Sequence, residues 1–172
     1  FAIDEKKQIR RLSKGMKKQV AFHLTLSCMP DILILDEPLD GLDPVMRKQI
    51  PLKCHAHRAD DILTSIRIAK EFDVDITLEH VTEGHLVVEE LVAENVPLAI
   101  GPTDGQPTKI ELQNKTWETP GILSKAGCHV SIITDSPVIP QKYLPLCAGL
   151  AVKSGMDPFE ALKAITINPA EH

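Results

Sequence analysis

The side chains whose types suit chemistry stand where apolar runs stop. Leu52-Lys53-Cys54-His55-Ala56-His57-Arg58-Ala59-Asp60-Asp61 reads as a short buried strand that ends in two histidines and runs directly into an amphipathic helix. A second strand stops at His80, a third runs into Gly101-Pro102, and a fourth ends in Asp135-Ser136-Pro137. Upstream, Ile32-Leu33-Ile34-Leu35 ends in Asp36-Glu37-Pro38. Side chains at the carboxyl ends of parallel strands point into a shared crevice, and α/β proteins keep their chemistry there.

The elements that must position these residues alternate. From Ser13 to Met29, Val20, Ala21, Leu24 and Cys28 recur at helical spacing, and Ile32 to Leu35 is an apolar strand of the buried parallel type. Asp43-Pro44 opens a helix, with Asp at the N-cap, that Pro51 stops. Asp60 to Phe72 is an amphipathic helix with Ile62, Leu63, Ile66, Ala69 and Phe72 on one face. Asp75 to Glu79 is a strand, residues 83–95 carry a helical pattern, and Pro97 to Ile100 is a strand. The polar loop 101–118 exceeds the usual α/β connection of about 2–6 residues, a mark of functional or disordered segments. Pro120 to Lys125 is a short helix and His129 to Thr134 a last strand. Helices over about 142–154 and 158–166 close the chain, the second with Asp157 at N-cap and Glu160 in capping-box register. About five strands alternating with helices predict an α/β fold with a mostly parallel sheet.

Composition narrows the function classes. With 172 residues the chain is long enough for one domain and marginal for two. A net charge of -5 argues against a nucleic-acid partner or an anionic membrane surface. No apolar run approaches the roughly 20 residues that span a bilayer. The start, Phe1-Ala2-Ile3-Asp4-Glu5, reads as a chain cut into and has no signal pattern. Cys28, Cys54, Cys128 and Cys147 form no CxxC pair and read as reduced thiols, which fits a cytoplasmic location.

The first fifty residues carry Leu12-Ser13-Lys14-Gly15-Met16, then Ile32-Leu33-Ile34-Leu35-Asp36-Glu37-Pro38, then Asp40-Gly41-Leu42-Asp43. In that order and spacing they resemble the signature motif, Walker B strand and D-loop of an ABC-type ATP-binding domain. The resemblance implies that Asp36 helps to hold Mg²⁺ and that Glu37 is the catalytic residue polarising water. It also implies that Ser13 and Gly15 contact the nucleotide of a partner subunit. No GxxxxGK[ST] loop occurs, so binding of ATP and Mg²⁺ by this chain alone is not expected.

Residues 51–172 resemble the second half of a metal-dependent amidohydrolase of the imidazolonepropionase-like group. The matching pieces are Lys53 to Asp61, Thr77 to Gly84, Ile132-Ile133-Thr134-Asp135 and Ala164 to Glu171. The resemblance implies strands five to eight of a (β/α)₈ barrel. It implies metal-binding histidines at His55 and His80, and a catalytic, metal-facing aspartate at Asp135. Neutral imidazoles and a carboxylate suit Zn²⁺, which acidifies a bound water whose proton the aspartate can take. In a flat sheet with strands about 4.8 Å apart, His55 and Asp135 would lie about 14 Å apart, so barrel curvature must bring them round one ion. His57 is expected on the opposite face from His55, as a polar strand end; His85 is expected in solvent, and His23 and His129 in structural roles.

The join near Ile50-Pro51 divides the chain into 1–50 and 51–172, a chimera of two fragments whose inherited active sites are both incomplete. Engineered recombination, a gene-fusion remnant and an assembly artefact are equally compatible origins. Two functions are expected on these grounds. One is a zinc-binding half-barrel hydrolase of C–N bonds that dimerises through its open edge. The other is a non-enzymatic module that offers Ser13 and Gly15 to an ABC-type partner subunit.

Overall fold

The computed structural model describes residues 43–104 and 109–172. The chain divides into two compact units, Phe1–Asp43 and Pro44–His172, and the sheet belongs to the second. Ser13, Gly15, Asp36 and Glu37, with the helix from Ser13 and the strand from Ile32, lie outside the described residues.

A short helix, α1 (Asp43–Met46), stops well before Pro51 because Lys48 is left-handed (φ 54°) and its amide turns back to the Val45 carbonyl. Four strands come next, β1 (Leu52–Ala56), β2 (Ile76–His80), β3 (Leu98–Ile100) and β4 (Val130–Ile132). They form one parallel sheet in sequence order, with Ala56 beside His80, His80 beside Ile100, and Ile100 beside Ile132. Between them run α2 (Ala59–Phe72), α3 (Val88–Glu94) and α4 (Thr119–Lys125). Helices α5 (Leu144–Lys153), α6 (Pro158–Lys163) and α7 (Asn168–Glu171) come after β4. The α/β architecture read from the alternation is present.

Strand alternation sorts the sheet into two faces. Leu78, Leu98, Val130, Ile100 and Ile132 pack with Ile62, Ile66, Leu91 and Leu123 in one apolar core. Burying each large aliphatic side chain stabilises the fold by roughly 1.5–3 kcal/mol. Lys53, Thr77, Glu79, Ala99 and Ser131 occupy the alternate positions. Helix α2 buries Ile62, Ile66 and Ala69, a narrower stripe than expected, and leaves Leu63 and Phe72 exposed. Asp73 ends it in a left-handed cap, with its amide on the Ala69 and Lys70 carbonyls.

Three expectations need correction. Strand β1 is not buried: among the described residues it pairs on one side only, and Ala56 alone is fully covered. The helical pattern of 83–95 splits into a 3₁₀ turn (Gly84–Leu86) and α3, because Val87 (φ -133°, ψ 39°) leaves the helical region. Helix α6 ends at Lys163, although its cap is as read, with Asp157 Oδ1 accepting from the Phe159 and Glu160 amides. On the far side of the sheet β4 is capped. The Ile132 amide donates to the Ala164 carbonyl, and Asn168 Nδ2 donates to the Val130 carbonyl at 2.7 Å. No helix among the described residues is long and apolar enough to cross a membrane.

Candidate metal centre

Three imidazoles meet where β1 and β2 end. His55 is the penultimate residue of β1, His57 lies just past its end, and His80 closes β2. Ring centroids lie 4.9 Å apart for His55 and His57, 4.2 Å for His55 and His80, and 4.5 Å for the stacked pair His57 and His80. One nitrogen from each lies within 4.8 Å of the other two. The expectation that His57 faces away from His55 is overturned. The two are i and i+2 in extended chain, and such positions share a face.

His80 reaches the cluster for a different reason. Its register partner is Ala56, so alternation alone would set it on the face opposite His55. Its left-handed backbone (φ 76°), continued at Val81 (φ 47°), takes it out of the strand and toward the other rings. Left-handed conformations cost roughly 1–2 kcal/mol per non-glycine residue, strain of the sort that collects at functional sites.

Second contacts orient two of the rings. His80 Nδ1–H donates to the Gly101 carbonyl at 2.6 Å, which orients the ring and, in its neutral form, fixes the tautomer with the lone pair on Nε2. Gly101 is the residue that position requires. At φ 137° its Cα lies so close to β4's continuation that an added Cβ would stand 2.2 Å from the Ile133 oxygen. His57 Nδ1 lies 2.7 Å from Oγ1 of the buried Thr82.

Burial first, then the neighbouring His80 and His55, push the His57 pKa down to about 4. Burial and His80 also lower that of His55, which is more exposed. Imidazoles kept neutral at pH 7 are the form that binds metal. Two nitrogens on a tetrahedral zinc sit roughly 3.3 Å apart for Zn–N near 2.05 Å. The three ligand atoms, within 4.8 Å of one another, stand at a spacing that could hold a metal ion. The donor set fits a zinc-type cation.

Of the residues expected at the site, His55 and His80 come together, and Asp135 is not part of the cluster. Asp135 follows β4 in a left-handed turn (φ 50°), exposed, its carbonyl accepting from the Val138 amide. It reaches His55 electrostatically, raising the His55 pKa less than Glu111 does. Four contributors were missed: His57, Thr82, Gly101 and Glu83. Glu83 is buried, accepts the first amide of α2 from Ala59 at 2.9 Å, and accepts from Asn114 Nδ2 at 2.8 Å. A carboxylate on a helix N-terminus is favoured by the helix dipole. Its residue type was visible in sequence, but its partner across 24 positions was not. His85 is not free in solvent: it is half-buried, with Nδ1 2.9 Å from Thr119 Oγ1. His129 is structural as expected, donating from Nε2 to the Asn168 carbonyl.

Sheet, helices and strand-end cluster together make the second unit an amidohydrolase-like fold fragment. An amidohydrolase from Thermotoga maritima MSB8 superposes with a TM-score of 0.76 and 35% identity, over 92% of this chain and 41% of that one. Sequence similarity also runs to a second group. An ABC transporter ATP-binding protein of Geobacter sulfurreducens is 39% identical over 87 residues, 51% of this chain and 32% of the relative. The ABC transporter ATP-binding protein YtrB of Bacillus subtilis is 42% identical over 50 residues, 29% of this chain and 17% of its own length. The chain thus spans about a third or less of these curated relatives. No protein-family model matches it.

Proposed function

We propose that residues 51–172 form the carboxyl-terminal half of a zinc-dependent site for hydrolysis of C–N bonds, with His55, His57 and His80 as the metal ligands. One observation supports this above the others: three imidazoles in mutual contact at the carboxyl ends of parallel strands, two with their second nitrogen already engaged. Zinc held there supplies Lewis acidity and lowers the pKa of water. His80, locked by Gly101, presents Nε2; His57 presents Nε2 from beside Thr82; His55 closes the set from the edge strand. Asp135, across the strand ends, is the residue to accept a proton from water during attack on an amide carbon.

The test is elemental zinc on the folded, gel-filtered protein. About one zinc per chain, lost on His80→Ala, is the expected result; retention by that variant would show that the ligands are elsewhere.

A second reading draws on the ABC similarity over about half the chain. In it Ser13 and Gly15 complete the nucleotide site of an intact ABC partner, with Asp36 and Glu37 as remnants of a site of its own. ATP-dependent co-elution with such a partner is expected, and co-elution that ignores ATP would remove this reading.

A further inference from the structure

Three neutral ligands leave the charge of a divalent cation uncompensated. Among the described residues a carboxylate approaches them from away from the strand ends, in the long loop after β3. There a 3₁₀ turn, Ile110–Leu112, carries Glu111, whose Oε1 lies 3.9 Å from His57 Nε2. That is too long for a hydrogen bond, but it is close to the separation of two ligands that share one ion. We propose that Glu111 is the anionic fourth ligand of the His55–His57–His80 centre, an inference that rests on the zinc reading above.

Two further observations point the same way. The loop that carries it is tied to the site's own framework. Asn114 Nδ2 donates to Glu83 Oε1, Glu83 caps α2, and the Glu83 amide donates to the His57 carbonyl. The turn is therefore anchored a few residues from Glu111, while Ile110 beside it is 70% exposed. Finally, Lys109 Nζ lies 3.3 Å from the same Glu111 oxygen. Without a cation at the histidines, Lys109 neutralises Glu111; with one, the like charge of Lys109 is repelled and Oε1 turns to the ion.

The experiment is a competition titration of the whole chain with zinc and a chromophoric chelator, paired with the visible spectrum of the cobalt-loaded protein. Glu111→Gln is expected to weaken zinc binding at least tenfold and to alter the cobalt bands. Glu111→Asp should recover part of both. Lys109→Gln breaks the same surface ion pair yet keeps the carboxylate, so it should bind zinc as tightly as the unsubstituted chain, or more tightly. Glu111→Gln with unchanged affinity and an unchanged cobalt spectrum overturns the proposal and leaves the three-histidine site standing. Equal weakening by Lys109→Gln would show that the loop's ion pair matters and that the carboxylate does not ligate. No zinc on the unsubstituted protein overturns both this inference and the function it rests on.

Discussion

Glu79 and His80 are consecutive residues of one strand, and they belong to opposite kinds of polar site. Glu79 stays in the pleat and meets hydrogen-bond donors. His172 Nε2–H donates to its Oε1 at 3.2 Å and Lys53 Nζ lies at the same distance. The His172 bond first, then Lys53, hold the Glu79 carboxyl down at about 2. His80 leaves the pleat and meets its own kind, two imidazoles that disfavour each other's charged forms. Around Glu79 basic side chains converge on one carboxylate, although His172 Nδ1 keeps no hydrogen-bond partner. A cluster of like donors in contact is of the kind that could hold a cation. The backbone at one residue, φ 76° rather than extended, separates the two outcomes.

The sharpest way to break that contrast is His80→Ala. Removing a ligand whose orientation is fixed by Gly101 should lower zinc affinity at least ~100-fold in a chelator competition, since even indirect partners of metal ligands are worth 10–100-fold. Gly101→Ala attacks the same ring through the backbone. Its Cβ would meet the Ile133 oxygen, so urea denaturation should show a loss of roughly 3 kcal/mol or more, together with weaker zinc binding. Glu79→Gln addresses the other network. It should lower stability by roughly 2–3 kcal/mol, because Lys53 and His172 lose their anion, while the zinc content stays the same. Zinc loss in that variant would mean that the two networks are one.

How much of this was legible in sequence depends on how local each cause is. The four described strands and the helices between them were visible, since period and caps are local; Asp157 with Phe159 and Glu160 is the clearest case. His55 and His80 were visible through family resemblance as strand-end residues. His57 was misplaced although the i, i+2 rule was available, and applying it would have yielded the third ligand. The exposure of β1 was hidden, because Leu52 to Ala56 reads alike on an edge or in a sheet centre. Gly101 as the clamp on His80, and Glu111 beside His57, depend on contacts between residues far apart in the chain that no local pattern encodes. The left-handed turn at His80 was equally hidden, since histidine carries no strong signal for it.

Acid titration gives the finest separation of the two networks, because their pH windows differ. In the metal-free protein His57 has a pKa of about 4 against an ordinary value of 6.5. The unfolded chain therefore binds the extra proton between those values, and stability rises with pH through that window. That contribution is complete above 6.5 and is lost as pH falls to 4. Glu79, at about 2 against 4.5, contributes stability that is complete above 4.5 and lost as pH falls toward 2. His57→Gln should flatten the upper window by on the order of 1–2 kcal/mol and leave the lower one intact, with Glu79→Gln doing the reverse. Urea midpoints measured in chelator from about pH 3 to 8 read both slopes. If either variant flattened both windows, His55, His57 and His80 would be coupled to the Glu79 network through the paired strands β1 and β2, and the contrast between a carboxylate with basic partners and a cluster of like donors would fail at its root.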